Sequence, residues 1–194
     1  KAEKILHEAG WTKNDKNIFE KDGMEASFTL VYPASDQTRQ SLAIVISQML
    51  KEFGIDVKPE GKSWSEIPEI MHSTPILFGW GSHDPIEMYY IYHSKHKGID
   101  YFNANYYENK QVDYYIDQAI NALTEEEANE NWKKAQWDGE TGFSTLGDAP
   151  WAWLVNLEHT YFVNEKLNIG KQKIQPHGHG WPITEYIADW KWED

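Results

Sequence analysis

Glu25-Ala26-Ser27-Phe28-Thr29-Leu30-Val31-Tyr32-Pro33, a helical stretch, and then Ile55-Asp56-Val57-Lys58-Pro59 form the succession that decides the fold. The first segment is rich in aromatic and β-branched residues and is closed by proline, which reads as a strand. Ser35 or Asp36 can cap the helical stretch, where Leu42, Ile46, Met49, Leu50 and Phe53 recur with the spacing of a buried stripe, and Gly54 stops the helix. A strand, helix and strand in this order imply a right-handed crossover in a parallel sheet. The pattern predicts one βαβ unit.

Toward the amino terminus, Ile5, Leu6 and Ala9 share a helical face, Gly10 can end that helix, and Trp11 is expected to pack back on it. Asp22-Gly23 suits the positive φ angles of a tight turn, so Ile18 to Lys21 and Glu25 to Tyr32 read as a hairpin. In the other direction, Ser63 and Glu66 match a capping box before a short helix carrying Ile67, Ile70 and Met71. Thr74 to Trp80 reads as the next strand, buried on both faces. Asn109 can cap a helix with the apolar face Val112, Tyr115 or Ile116, Ala119, Ile120 and Leu123. Thr124 and Glu127 match a second capping box, opening a helix with Ala128, Trp132 and Ala135, and the two helices are expected to pack as a pair. Residues 138–150 read as a loop, Trp151 to Val163 as a strand, and Ile183 to Trp192 as a final strand.

The chain has 194 residues, which suits one ordinary domain or a domain with an appendage and is enough to bury a core. Its 31 acidic and 18 basic residues give a formal charge of -13, which argues against nucleic acid or an anionic membrane surface as partner. With no cysteine, disulfides and thiolate catalysis are excluded. No apolar run reaches the ~20 residues a spanning helix needs. The chain starts at Lys1, in what reads as a helix already in progress, so it is expected to be a piece of a longer protein.

The stretch with chemical content is Pro75-Ile76-Leu77-Phe78-Gly79-Trp80-Gly81-Ser82-His83-Asp84-Pro85. An apolar strand runs into small residues, then a polar pair, then proline. This order can bring an indole, an imidazole, a carboxylate and backbone groups to the carboxyl end of a buried strand, where open α/β sheets form their ligand crevice. Trp80, Gly81, Ser82, His83 and Asp84 are therefore candidate ligand-binding residues, and the competing account is a simple turn in which Asp84 bonds its own backbone. Asn103, Asn105 and Tyr106 join them as polar or amphipathic residues in a loop, ahead of Tyr89, Tyr90 and Tyr92, which read as core or cleft wall.

His177-Gly178-His179-Gly180 could put two imidazoles on one metal, but local spacing fixes no third ligand, and no metal or other cofactor is assigned. No phosphate-cradling loop, His-Glu-x-x-His or nucleophile elbow occurs, and Glu158, His159 and Asp148 give no usable catalytic signal, so no catalytic residue is assigned. The alternatives from another class are a hydrolase and a carbohydrate-binding module, the latter suggested by the tryptophans Trp151, Trp153, Trp181, Trp190 and Trp192. Core or interface packing explains them as well.

The ordered set of motifs resembles the carboxyl-terminal part of bacterial extracellular solute-binding proteins, family 5, the oligopeptide, dipeptide and nickel class that feeds ABC importers. The resemblance rests on Glu8-Ala9-Gly10-Trp11, Phe28-Thr29-Leu30, Leu50 to Val57, Gly79-Trp80-Gly81 before Asp84-Pro85, and Asn105 to Asn109 before Val112-Asp113. It implies an α/β lobe of the type II periplasmic-binding-protein fold, with a mixed sheet flanked by helices. Residues 1–194 would be the carboxyl-terminal lobe of a two-lobed clamshell, the larger preceding lobe being absent from this chain. The implied ligand is an extended peptide or related small solute, or alternatively nickel or a metal chelate. The implied partners are the amino-terminal lobe and the membrane permease of the importer. The full-length protein would be extracellular, as a cell-surface lipoprotein or in the periplasm. In peptide-binding relatives an acid in the segment after the Gly-Trp strand pairs with the ligand's amino terminus; here His83 stands at that place and Asp84 one position later. Nickel-binding relatives sometimes use a histidine just after the Asp-Pro pair, where this chain has Ile86 and Glu87.

Overall fold

The computed structural model describes residues 1–81, 84–156, 160–171, 183–184 and 186–193. The chain divides into two compact units, Lys1–Phe78 with Gly98–Tyr106, and Gly79–Lys97 with Tyr107–Asp194.

The first unit begins with helix α1 (Ala2–Glu8), followed by the three antiparallel strands β1 (Thr12–Lys13), β2 (Phe19–Lys21) and β3 (Met24–Glu25). Asp22 and Gly23 both take positive φ, as the hairpin requires. The expected second hairpin strand does not run through to Tyr32. It breaks at Ala26, whose N–H bonds the Phe19 carbonyl (2.6 Å) while its own carbonyl accepts from the Asp56 N–H (2.9 Å). One residue thus serves two sheets. Beyond it, β4 (Ser27–Pro33) pairs in parallel with β5 (Asp56–Lys62), in a register from Ser27 opposite Asp56 to Pro33 opposite Lys62.

Helix α2 (Gln37–Phe53) connects these strands, completing the βαβ unit. Its amino-terminal cap is Asp36, whose Oδ1 accepts the Arg39 N–H at 2.9 Å. Gly54 ends it at φ 117°, and a Cβ there would lie 3.0 Å from the Asn17 carbonyl oxygen, so both conformation and space favour glycine. Leu42, Ile46 and Leu50 pack over Leu30, Ala43, Val57 and Leu77. Met49, expected in the stripe, is instead 65% exposed, because the buried face is centred between Ala43 and Ile46 and Met49 falls on its flank.

The strand expected over Thr74 to Trp80 is reduced to a single parallel bridge, Val31 with Ile76. Val31 donates to the Pro75 carbonyl and Leu77 to the Val31 carbonyl, each at 2.9 Å. Extending this ladder by one step either way would need an N–H from Pro33 or from Pro75, and neither has one. Leu77 is buried, while Ile76 and Phe78 are only half-buried. Helix α3 (Ile67–Ile70) comes after a turn in which Glu66 Oε2 accepts from the Ser63 N–H at 2.9 Å, the reach-back half of the expected capping box.

The second unit is built on α4 (Glu87–Tyr92), a 3-10 turn over Ser94–His96, α5 (Lys110–Ile120) and α6 (Glu125–Gln136). Its core joins Ile91, Tyr92, Val112, Ile116, Ala119, Trp132, Ala135 and Phe143. Tyr92 stacks on Phe143 with centroids 3.8 Å apart. The α5 and α6 caps are those expected: Asn109 Oδ1 accepts from the Gln111 and Val112 N–H groups, and Thr124 Oγ1 from the Glu127 N–H. Ile120 and Leu123 are exposed, against expectation, because α5 ends at Ile120 and Leu123 lies in the turn beyond it. Strand β6 (Leu167–Asn168) pairs antiparallel with β7 (Lys191–Trp192). The described residues of 151–163 hold no strand, and the described residues of the final strand expected over 183–192 form only β7, after a 3-10 turn at Ile187–Asp189. The α/β class stands, with parallel and antiparallel pairs in separate small sheets among the described residues.

Candidate ligand-binding segments

The candidate residues fall in both units: Trp80, Gly81 and Asp84 in the second, Asn103, Asn105 and Tyr106 in the first. Ser82 and His83 lie outside the described residues, as do Glu158, His159, His177, His179 and Trp181.

In the second unit, Trp80 is half-buried against the helical core and meets the Trp151 ring edge to face, with centroids 6.2 Å apart. Gly81 is half-buried. Asp84 is exposed; its Oδ1 accepts the Ile86 N–H at 2.8 Å and its carbonyl accepts the Glu87 N–H at 3.3 Å, so Asp84 opens the turn into α4. The turn account therefore describes Asp84 Oδ1.

In the first unit, residues 98–106 form a loop with three non-glycine residues at positive φ: Asp100 (50°), Asn103 (34°) and Tyr106 (55°). Left-handed backbone is uncommon for asparagine and aspartate and rarer for tyrosine, so such a loop needs outside support. Asn103 is fully buried, whereas Asn105 is exposed and Tyr106 is 51% exposed. The loop is held from within by Phe102 N–H to the Ile99 carbonyl (3.0 Å) and Tyr106 N–H to the Asn103 carbonyl (3.1 Å). It is also held from outside. Tyr101 donates its hydroxyl to the Trp64 carbonyl at 3.1 Å and packs edge-on to Trp64 and Phe78. His72 Nδ1 lies 2.7 Å from the Ala104 carbonyl oxygen, and its ring meets Tyr106 edge to face at 4.7 Å. Asn105 and Tyr106 lie on the exposed side of the loop.

Two polar networks in the second unit were not singled out in the sequence. Asn109 Nδ2 donates to Thr141 Oγ1 and Asp148 Oδ2, each at 2.7 Å, and Tyr107 donates to the same Asp148 oxygen at 2.8 Å. Burial, aided by the Asp148 carboxylate, pushes the Tyr107 phenol well above its ordinary value, so it stays a hydrogen-bond donor. The second network surrounds His93, which is buried. Its Nδ1 accepts the Lys95 N–H at 3.1 Å, which puts the neutral ring's proton on Nε2, 3.4 Å from Asp117 Oδ1. Asp113 accepts from the Ser94 N–H and Oγ–H and so ties the end of α4 to α5. Isolated histidines behind apolar runs carry no sequence signal that separates such ties from ligand contacts. Among the described residues no group of three or more metal-ligating side chains is assembled. No helix among them is long and apolar enough to cross a membrane.

Comparison with known proteins gives a consistent answer. The family model for bacterial extracellular solute-binding proteins, family 5 Middle, matches residues 1–102. Protein XP55 of Streptomyces lividans is 30% identical over 167 residues, covering 85% of this chain and 30% of that protein. Oligopeptide-binding protein AppA of Bacillus subtilis (strain 168) is 33% identical over 127 residues, covering 61% of this chain and 23% of that protein. The chain thus spans less than a third of either relative. Among solved structures, NikZ from Campylobacter jejuni in complex with Ni(L-His) is 25% identical with a TM-score of 0.70, over 98% of this chain and 38% of that one. AppA from Bacillus subtilis in complex with a nonapeptide is 28% identical with a TM-score of 0.58, over 69% of this chain and 27% of that one. The chain belongs to the bacterial extracellular solute-binding proteins, family 5.

Proposed function

We propose that this chain is the carboxyl-terminal lobe of the solute-binding component of an ABC importer, and that it contributes one wall of a cleft for an extended peptide or a related small solute. The family is one of binding proteins, so the role is capture without chemistry, and the carbohydrate-module and hydrolase alternatives give way to it. The observation that carries the peptide reading is the 33% identity to an oligopeptide-binding protein. The exposed Asp84, Asn105 and Tyr106 supply the kinds of group that an extended backbone and its amino terminus require. Trp80 and Gly81 would give the cleft an apolar face and close backbone access, with Ser82 and His83 between them and Asp84. Asn103, being buried, would shape the loop from beneath. The remaining wall would come from the preceding lobe, and the closed form would dock on the membrane permease. The full-length protein would work outside the cytoplasm, as a cell-surface lipoprotein or in the periplasm.

A metal-chelate cargo is the second reading, favoured by the similarity to NikZ over 98% of the chain. His83 is the nearest candidate to touch such a chelate, with the chelator supplying most of the ligands.

Native mass spectrometry of the full-length protein as purified tests both readings. A co-purifying peptide supports the first, nickel with a small chelator supports the second, and a bound oligosaccharide overturns both.

A further inference from the structure

We infer that His72 is a positioning residue of the 103–106 ligand loop, acting through its ring nitrogen on the Ala104 carbonyl and through an edge-to-face ring contact with Tyr106. This rests on the proposed role of that loop in ligand capture. A carbonyl only accepts, so the 2.7 Å contact requires the proton on Nδ1, and both the neutral Nδ1–H tautomer and the imidazolium satisfy it. The contact therefore survives protonation of the ring.

The loop needs this support because its conformation is unfavourable for its own residues. Asn103 and Tyr106 both sit at positive φ, with Ala104 and Asn105 between them. Within the loop one backbone bond, from the Tyr106 N–H to the Asn103 carbonyl, closes the turn. His72 grips the middle of the same turn at Ala104 and its end at Tyr106. Gly98 completes the seat: a Cβ there would fall 2.6 Å from the Tyr106 hydroxyl, so the phenol occupies space that only glycine leaves open. The Tyr106 ring is thus held by the His72 ring and the Gly98 backbone while half of the residue's surface remains exposed. Tyr106, exposed beside Asn105, takes its direction from a histidine that need not touch the ligand.

Two substitutions in the full-length protein separate the two grips. His72→Asn retains a donor for the Ala104 carbonyl and loses the ring; His72→Phe retains the ring and loses the donor. The readouts are calorimetric affinity for a nonapeptide probe and for nickel(II)–L-histidine, and hydrogen exchange at the Phe102 and Tyr106 amides, with the α2 amides as internal control. The expected result for His72→Phe is an affinity loss of about 5- to 10-fold for whichever probe binds, the size set by one hydrogen bond. Faster exchange at Tyr106 with α2 unchanged should accompany it. His72→Asn is expected to lie between His72→Phe and the parent. Asn105→Ala and Tyr106→Ala test the underlying ligand role separately. If these two weaken binding while both His72 variants bind and exchange like the parent, the positioning inference is overturned and the ligand role of the loop stands. If they leave binding intact, the ligand role fails, and the exchange data alone decide whether His72 holds the loop. Unchanged Tyr106 exchange in both His72 variants overturns the inference in either case.

Discussion

Asn109 satisfies two sets of partners with one amide. Its oxygen caps α5 by accepting from Gln111 and Val112, and its nitrogen reaches Thr141 and Asp148 in the loop after α6. Replacing it with alanine removes the cap, worth about 1 kcal/mol, and leaves the loop acceptors underpaired, so Asn109→Ala is expected to cost about 2 kcal/mol in urea unfolding. A loss below the value for the cap alone would mean the loop bonds contribute nothing. Asp36 offers a pH-dependent counterpart. Burial pushes its carboxyl upward, but the Arg39 amide N–H and guanidinium outweigh burial and hold it below its ordinary value of 3.8. A depressed carboxylate stabilises the fold above its unfolded value and loses that contribution as pH falls through the folded one. The parent should accordingly be more stable than Asp36→Asn near neutral pH, with the gap closing below a pH of about 4 in thermal melts. Asn109 and Thr124 were legible as caps, and Asp36 as one of two candidates with Ser35, because a cap is settled by a side chain and amides two or three residues away. His72 and His93 were not, since their partners Ala104 and Asp117 are distant in sequence.

At the scale of elements, helices were read more accurately than strands. The stripes of α5 and α6 meet around Ile116 and Trp132, both buried, and Ile116 is fully so. Ile116→Ala should therefore cost about 2–5 kcal/mol by emptying a site that its neighbours cannot fill, as measured by chemical denaturation. The errors lie at the ends and flanks of the helices, at Met49, Ile120 and Leu123, where periodicity places a residue near a face but the neighbouring element decides whether it is covered. The strand expected over 74–80 failed for a different reason. Pro33 and Pro75 were visible in the sequence, yet their effect on the ladder appears only once Val31 is known to stand opposite Ile76. Likewise, Ala26 belongs to two sheets at once, which no single run of residues can announce.

At the scale of the whole molecule, the ordered motifs from Gly10-Trp11 to Asp113 were enough to reach the family, and the match over residues 1–102 supports the same conclusion. If this chain supplies one wall of a cleft, it should bind a nonapeptide or nickel(II)–L-histidine far more weakly alone than the full-length protein does, because one wall cannot bury most of a ligand's surface. Titration calorimetry giving equal affinities for the two would refute the cleft. The βαβ unit around α2, the caps, the hairpin turn and the absence of disulfide chemistry were legible in the sequence because they rest on local backbone preference, periodicity and composition, whereas the family was reached through the resemblance of the ordered motifs. That Asn103 is buried while Asn105 and Tyr106 are exposed, and that a histidine some thirty residues earlier grips their loop, follows from the folded chain alone. The physical reason is that burial and hydrogen-bond partnership are properties of pairs of distant segments, and a residue's type constrains what it can do without specifying what it will meet.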